Sequence, residues 1–163
     1  MIYKAFTYWH SGFEDAPDFI KRNIDRWYKV NKDFEIIIID EKSEDFYLNV
    51  FLNSESKIIV QTKSDLVRYG ALKLHGGTWF DPTVFLVSPL ERWLPRFLEN
   101  WDFLCPSIPD TSRNIDNWFI YTEKNSEIFN AWTSNFHNYW KKSRSFISMN
   151  EIKSHKYFKS DPS

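Results

Sequence analysis

The stretch from Thr62 to Val87 constrains this chain more than any other. Its first half has helical spacing: Val67, Ala71 and Leu74 fall on one face, the natural core face. Thr62, with Asp65 three residues on, reads as an N-cap and its capping-box partner. Gly70 beside the core face permits close backbone approach. Asp65 and Arg68 share a different face and can reach one common partner. Gly76-Gly77 stops the helix, because glycine accepts the positive φ a helix end needs. Trp79-Phe80 and Val84 to Val87 then read as two buried strand pieces, interrupted by Asp81. Pro82 biases Asp81 towards extended backbone and removes a donor. A carboxylate between apolar strands needs a partner, or it stands at a strand end facing a cleft. Open α/β sheets bind ligands at such ends.

The flanking segments alternate in the same way. Tyr3 to Trp9 reads as a first strand, followed by a turn at His10-Ser11-Gly12. Pro17 to Val30 is amphipathic, with Phe19, Ile20, Ile24, Trp27 and Tyr28 at helical spacing. Phe34 to Ile39 reads as a parallel strand buried on both faces, with Asp40 at its carboxyl end. Ser43 can cap a short helix through about Leu52. Pro89 to Leu98 reads as a turn and short helix, Trp101 to Cys105 as a strand, and 106–114 as a loop. Trp118 to Tyr121 is a further strand and Ser126 to Lys142 a helix. Residues 143–163 are a polar, basic tail with one weak helical run from Met149 to His155. Strand–helix alternation of this kind argues for an α/β domain with a mostly parallel sheet.

Composition narrows the function. The chain has 163 residues, enough for one domain with a real core. A formal net charge of −1, without a long basic block, carries no electrostatic footprint for nucleic acid. Aromatic residues form 19% of the chain, more than a core of this size needs. The surplus suits a sugar site, a membrane surface or a partner interface. A single cysteine, Cys105, excludes an internal disulfide framework and fits a reducing compartment. No apolar run approaches transmembrane length, and the N-terminus lacks a signal-peptide pattern. The expected setting is cytoplasmic, with peripheral association at the inner membrane face open.

Ser64-Asp65-x-x-Arg68-Tyr69, followed by Gly76-Gly77-x-Trp79-x-Asp81, resembles the nucleotide-sugar core of the capsular polysaccharide synthesis proteins. These are relatives of glycosyltransferase family 32, with its DXD sugar-binding region, and more distantly of the clostridial glucosylating toxins. Tyr8-Trp9-His10-Ser11-Gly12, Pro17, Trp27, Asn31 and a strand ending in Asp40 are similar to that family's opening strand–helix–strand. Ile115-Asp116-Asn117-Trp118-Phe119-Ile120 also fits. The resemblance implies a glycosyltransferase-A-like (Rossmann-like) domain over residues 1–142. It implies transfer of a sugar from a nucleoside-diphosphate sugar to a hydroxyl of a surface or capsular glycan, with retention of configuration.

By that resemblance Asp81 is the leading catalytic candidate. In DXD enzymes a carboxylate of this kind holds a divalent ion, manganese or magnesium, on the donor diphosphate. Here the motif is Asp81-Pro82-Thr83, so Thr83 replaces the second acid. The alternative is a structural aspartate in a turn before proline. Asp65 would meet the ribose or donor sugar, and Arg68 the sugar hydroxyls or phosphate; otherwise they form an intrahelical ion pair. Trp9 would stack on the base, or serve as a core tryptophan. Asp40 would shape the base or ribose pocket, or cap a loop. Asp116 and Asn117 resemble acceptor-side or catalytic-face polar residues, and Gly77 and Thr83 complete the substrate-binding set. His10 has the weaker case: it could touch phosphate, but a surface turn histidine is the simpler reading. The alternative from another class is a sugar-nucleotide or glycan-binding protein without turnover. A third is an interaction subunit that uses its surface aromatics.

Overall fold

The computed structural model describes residues 3–52, 57–107 and 115–140. The chain runs β1 (Tyr3–Tyr8), α1 (Asp18–Val30), β2 (Phe34–Ile39), α2 (Glu44–Leu48), α3 (Val60–His75) and β3 (Gly77–Phe80). A 3₁₀ turn (Leu90–Arg92), α4 (Leu94–Leu98), β4 (Phe103–Leu104), β5 (Phe119–Thr122) and α5 (Glu127–Trp140) follow. The polar tail read from residues 143–163, with its run from Met149 to His155, lies outside the described residues.

The sheet has five strands in the order β2-β1-β3-β5-β4. β1 pairs in parallel with β2 and β3, and β5 runs antiparallel to both β3 and β4. Four of the five strands therefore share one direction, and β5 alone opposes them. Helices cover both faces, so the domain is α/β with a mixed, mostly parallel sheet, as expected of a glycosyltransferase-A-like arrangement.

Side-chain alternation divides the core into two layers. Phe6, Trp79 and Ile120 point to the face covered by α2, α3 and α5. Ala5, Phe80, Phe119 and Tyr121 point to the face covered by α1 and the segment around Leu86 to Leu94. α1 buries Ile20, Ile24 and Trp27. Phe19 and Tyr28, read as part of its core face, are exposed at 52% and 45%. β2 is an edge strand, so it is less covered than a central one, and Glu35 stands exposed on it.

α3 is the central connection and is more deeply buried than its amphipathic pattern indicates: Leu66, Val67, Arg68, Tyr69, Gly70, Ala71 and Leu72 are all buried. Gly70 permits the crossing with α2, since a Cβ there would lie 2.3 Å from the Tyr47 carbonyl oxygen. The helix begins one turn fraction earlier than the capping pattern indicates. Ile59 occupies the N-cap position without a side-chain cap, and Thr62 is buried inside the first turn. The carboxylate of Asp65 is engaged by Arg68 instead of turning back to the helix start.

Val84 to Val87 is not a strand. Val84 N–H bonds Asp81 O at 2.9 Å, closing a turn over Pro82-Thr83. The following residues alternate in burial, with Leu86 buried and Phe85 and Val87 exposed. Their carbonyls meet side chains of α1 and no strand: Trp27 Nε1 donates to Val84 O at 3.0 Å, and Arg26 Nε to Leu86 O at 2.6 Å. Among the described residues no helix is long and apolar enough to cross a membrane.

Candidate functional site

Asp81 directly follows β3, at the carboxyl end of a central strand. Its backbone N–H bonds Trp118 O at 2.9 Å, which fixes the exit from the sheet. Its Oδ1 accepts from Arg68 Nη2 and from Trp79 Nε1, both at 2.8 Å. Among the described residues Oδ2 has no partner, and 29% of the side chain is exposed. One carboxylate oxygen is thus anchored, and the other is unengaged by any described residue.

Arg68 is the anchor. Its side chain is 4% exposed; Nη1 donates to Asp65, Nη2 donates to Asp81, and the guanidinium lies 5.0 Å from the centre of the Trp79 ring. Burial works against its charge, but Asp65 and Asp81 more than restore it, so the arginine stays protonated. Its Nε is buried without a hydrogen-bond partner among the described residues. The planar fork spans two carboxylates, one from its own helix and one from a strand end, as a lysine could not. Asp65 Oδ1 also accepts from Asn117 Nδ2 at 3.2 Å, which ties the start of the β5 segment to α3. Desolvation pushes the Asp65 carboxyl up and Arg68 pulls it partly back, while 46% of its side-chain surface still meets solvent.

Asp81 borders an open cleft of about 360 Å³. One wall is the turn after β1, with Trp9, His10 and Ser11; another is the start of α3, with Val60, Gln61 and Ser64; Pro82 and Thr83 complete the rim beside Asp81. Trp9, Asp81 and Thr83 therefore face one space, and Asp65, Arg68 and Asn117 form the layer that holds Asp81. Asp40 stands at the matching end of β2 but is occupied locally. Its Oδ1 accepts from the Ser43 hydroxyl at 2.8 Å and from the N–H groups of Lys42 and Ser43 at 3.1 Å. These bonds, the Ser43 hydroxyl first, hold its carboxyl below the usual range. Asp116 bonds Pro106 O through its backbone N–H at 3.0 Å. Gly77 opens β3 at the end of the strand away from Asp81. It has φ +98° and a backbone so close to β1 that a Cβ would lie 2.6 Å from Lys4 O.

A second cluster forms the cleft wall and was not legible in the sequence. Glu44, buried at the start of α2, accepts from the Tyr8 hydroxyl and from Lys63 Nζ, and lies 3.2 Å from His10 Nδ1. Burial alone would raise its carboxyl; Lys63, Tyr8 and His10 reverse this and hold it below the usual range. The Tyr8 hydroxyl is pushed well above the ordinary range by burial and by Glu44, so it stays neutral. Tyr8 and His10 line the same cleft as Asp81. Nothing in the local sequence links residues 8, 10, 44 and 63; only the fold brings them together.

Comparison with known proteins names the family. The model of the family described as "Capsular polysaccharide synthesis protein" matches residues 2–154. This chain belongs to that family. An O-glycosyltransferase of Phomopsis amygdali, PaGT, is 25% identical over 155 residues, covering 83% of this chain and 38% of that protein. The O-glycosyltransferase braB of Annulohypoxylon truncatum is 23% identical over 157 residues, covering 83% of this chain and 37% of that protein. The chain thus spans under two fifths of the length of these curated relatives. No solved structure matches it. Among the described residues no group of three His, Cys, Asp or Glu side chains converges as a metal shell.

Proposed function

We propose that this member of the capsular polysaccharide synthesis family carries the donor site of a glycosyltransferase. It moves a sugar from a nucleoside-diphosphate sugar to a hydroxyl of a surface or capsular glycan, with retention as the family resemblance implies. The observation that carries the reading is the convergence of Trp9, Asp81 and Thr83 on one cleft at the strand carboxyl ends, with Asp81 held by Arg68. Open α/β sheets take their ligands there.

In this reading Trp9 stacks on the nucleotide base and Asp81 Oδ2 addresses the donor. Arg68 acts behind Asp81, since its guanidinium is already spanned by two carboxylates. This differs from direct contact of Arg68 with phosphate. Asn117 fixes Asp65, and the exposed ring of Trp118 next to it offers an acceptor sugar a flat face. Magnesium and manganese are often held by one or two carboxylates together with substrate phosphates and water. Asp81 Oδ2, unpartnered among the described residues, and Thr83 on the rim of the same cleft fit an ion shared with the diphosphate. When bound, such an ion would neutralise charge on the departing nucleotide.

A thermal-shift panel of nucleoside diphosphates and their sugars, with and without manganese, tests this. Trp9→Ala should weaken nucleotide affinity by roughly 1–3 kcal/mol, the range for one lost base–aromatic stack. Binding without release of nucleotide, across metals and glycan acceptors, would favour the second reading, a sugar-nucleotide-binding protein without turnover. Replacement of the second DXD acid by Thr83 is what favours that reading.

A further inference from the structure

Among the described residues lining the cleft, His10 is the only side chain able to carry positive charge. Arg68 is buried and spans Asp65 and Asp81, and Lys63 is engaged by Glu44. An anionic ligand in this cleft therefore meets His10 first, and 32% of that side chain is exposed.

The neighbours of His10 fix its tautomer. Tyr8 has one hydroxyl proton, and the Glu44 carboxylate takes it. The Tyr8 oxygen, 2.8 Å from His10 Nδ1, and Glu44 Oε2, 3.2 Å away, are then both acceptors towards the ring. Nδ1 must carry a proton, and Nε2 is the ring nitrogen that neither Tyr8 nor Glu44 engages. Glu41 Oε2 lies 3.8 Å from Nε2.

We propose that His10 Nε2 donates to the diphosphate of a nucleoside diphosphate in this cleft, and that Glu44 is the positioning residue that sets the ring's tautomer and orientation. The inference rests on the donor reading above and names the group that receives the phosphates. With the Nδ1 proton held by Tyr8 and Glu44, donation from Nε2 requires a second ring proton, so the ligand-bound ring is the imidazolium. Glu41 from the turn after β2 and Glu44 from α2 face the ring with negative charge, and Lys63 from α3 offsets Glu44. Asp40 and Asp81 add negative charge at the ends of β2 and β3. Tyr8 remains neutral. A bound diphosphate adds further negative charge at Nε2, which favours the doubly protonated ring in the complex.

Calorimetric titration with UDP, GDP, inorganic pyrophosphate and the bare nucleosides separates the contributions. His10→Asn keeps a donor towards Tyr8 and Glu44 and leaves nothing at the Nε2 position. It should weaken the preferred nucleotide and pyrophosphate about 10- to 100-fold, as for a lost hydrogen bond to a charged group, and leave nucleoside affinity unchanged. His10→Gln, whose amide N–H reaches nearer the Nε2 position, should recover part of that loss. Ring ¹⁵N spectra should show a proton on Nδ1 in the wild type, and Glu44→Gln should populate the other tautomer. His10→Asn, at a partly exposed position, decides the matter even where Glu44→Gln does not fold. Equal affinity of wild type and His10→Asn for the nucleotide would overturn this inference and leave the donor reading standing. An unprotonated Nδ1 would overturn it as well. A wild type that binds neither nucleotide nor nucleoside would overturn the donor reading itself.

Discussion

Arg68 Nη2 lies 2.8 Å from Asp81 Oδ1, across 13 residues of sequence, and so joins the middle of α3 to the end of β3. The same guanidinium holds Asp65. One buried cation thus organises two carboxylates, and Asp81, whose Oδ2 has no partner among the described residues, borders the cleft. The arrangement predicts that Arg68 matters for stability as well as for ligand binding.

Arg68→Met removes the cation and leaves Asp81 and Asp65 without it. Breaking a buried pair from one side commonly costs about 3–5 kcal/mol, and solvent access to Asp65 places this case at the lower end. Urea unfolding of both proteins measures the loss. A cost under about 1 kcal/mol, the range of a surface pair, would show that the network contributes little to the fold.

Gly70→Ala tests the crossing of α2 and α3 by its sign. Helix propensity alone would stabilise the alanine variant by about 1 kcal/mol. The Cβ would lie 2.3 Å from Tyr47 O, so backbone must move, and overpacking of this kind costs about 1–3 kcal/mol. A net fall in thermal midpoint is expected; a rise would contradict the close approach.

Glu44 gives a pH signature. Its folded pKa is depressed relative to the ordinary 4.5, so the folded state favours the ionised form. The stability it contributes is complete above that unfolded value and is lost as pH falls below it through the lower folded value. The stability gap between wild type and Glu44→Gln should therefore be largest at neutral pH and shrink below about pH 4.5. Chemical denaturation from pH 7 to 3 measures it, and a gap independent of pH would contradict the ionised, triply bonded carboxylate.

Local chemistry made part of this structure legible and hid the rest. α3, its glycine stop and the i,i+3 spacing of Asp65 and Arg68 could be read because helical period and glycine conformation are local properties. Phe34 to Ile39 could be read from its apolar run, although its edge position could not. Val84 to Val87 is the continuous apolar run of a buried strand, yet its carbonyls are met by Arg26 and Trp27, some sixty positions away. An apolar run cannot distinguish a ladder from side-chain donors. Asp40 proved to be a turn-forming aspartate whose bonds lie within three residues, a use that strand-end position alone does not reveal. Glu44 was hidden for the opposite reason: its partners come from β1, the turn after it and α3.

The central claim is that Asp81 Oδ2 addresses a nucleoside-diphosphate sugar in the cleft it borders. The direct measurement is calorimetric titration of wild type and Asp81→Asn with a panel of nucleoside-diphosphate sugars in manganese. The asparagine keeps size and an acceptor but removes the charge. The account predicts saturable binding of at least one donor by the wild type. It predicts a loss of at least tenfold in the variant, in line with the few kcal/mol commonly lost with one charge-stabilising group. Equal binding by both proteins, or no donor bound by the wild type, would contradict it.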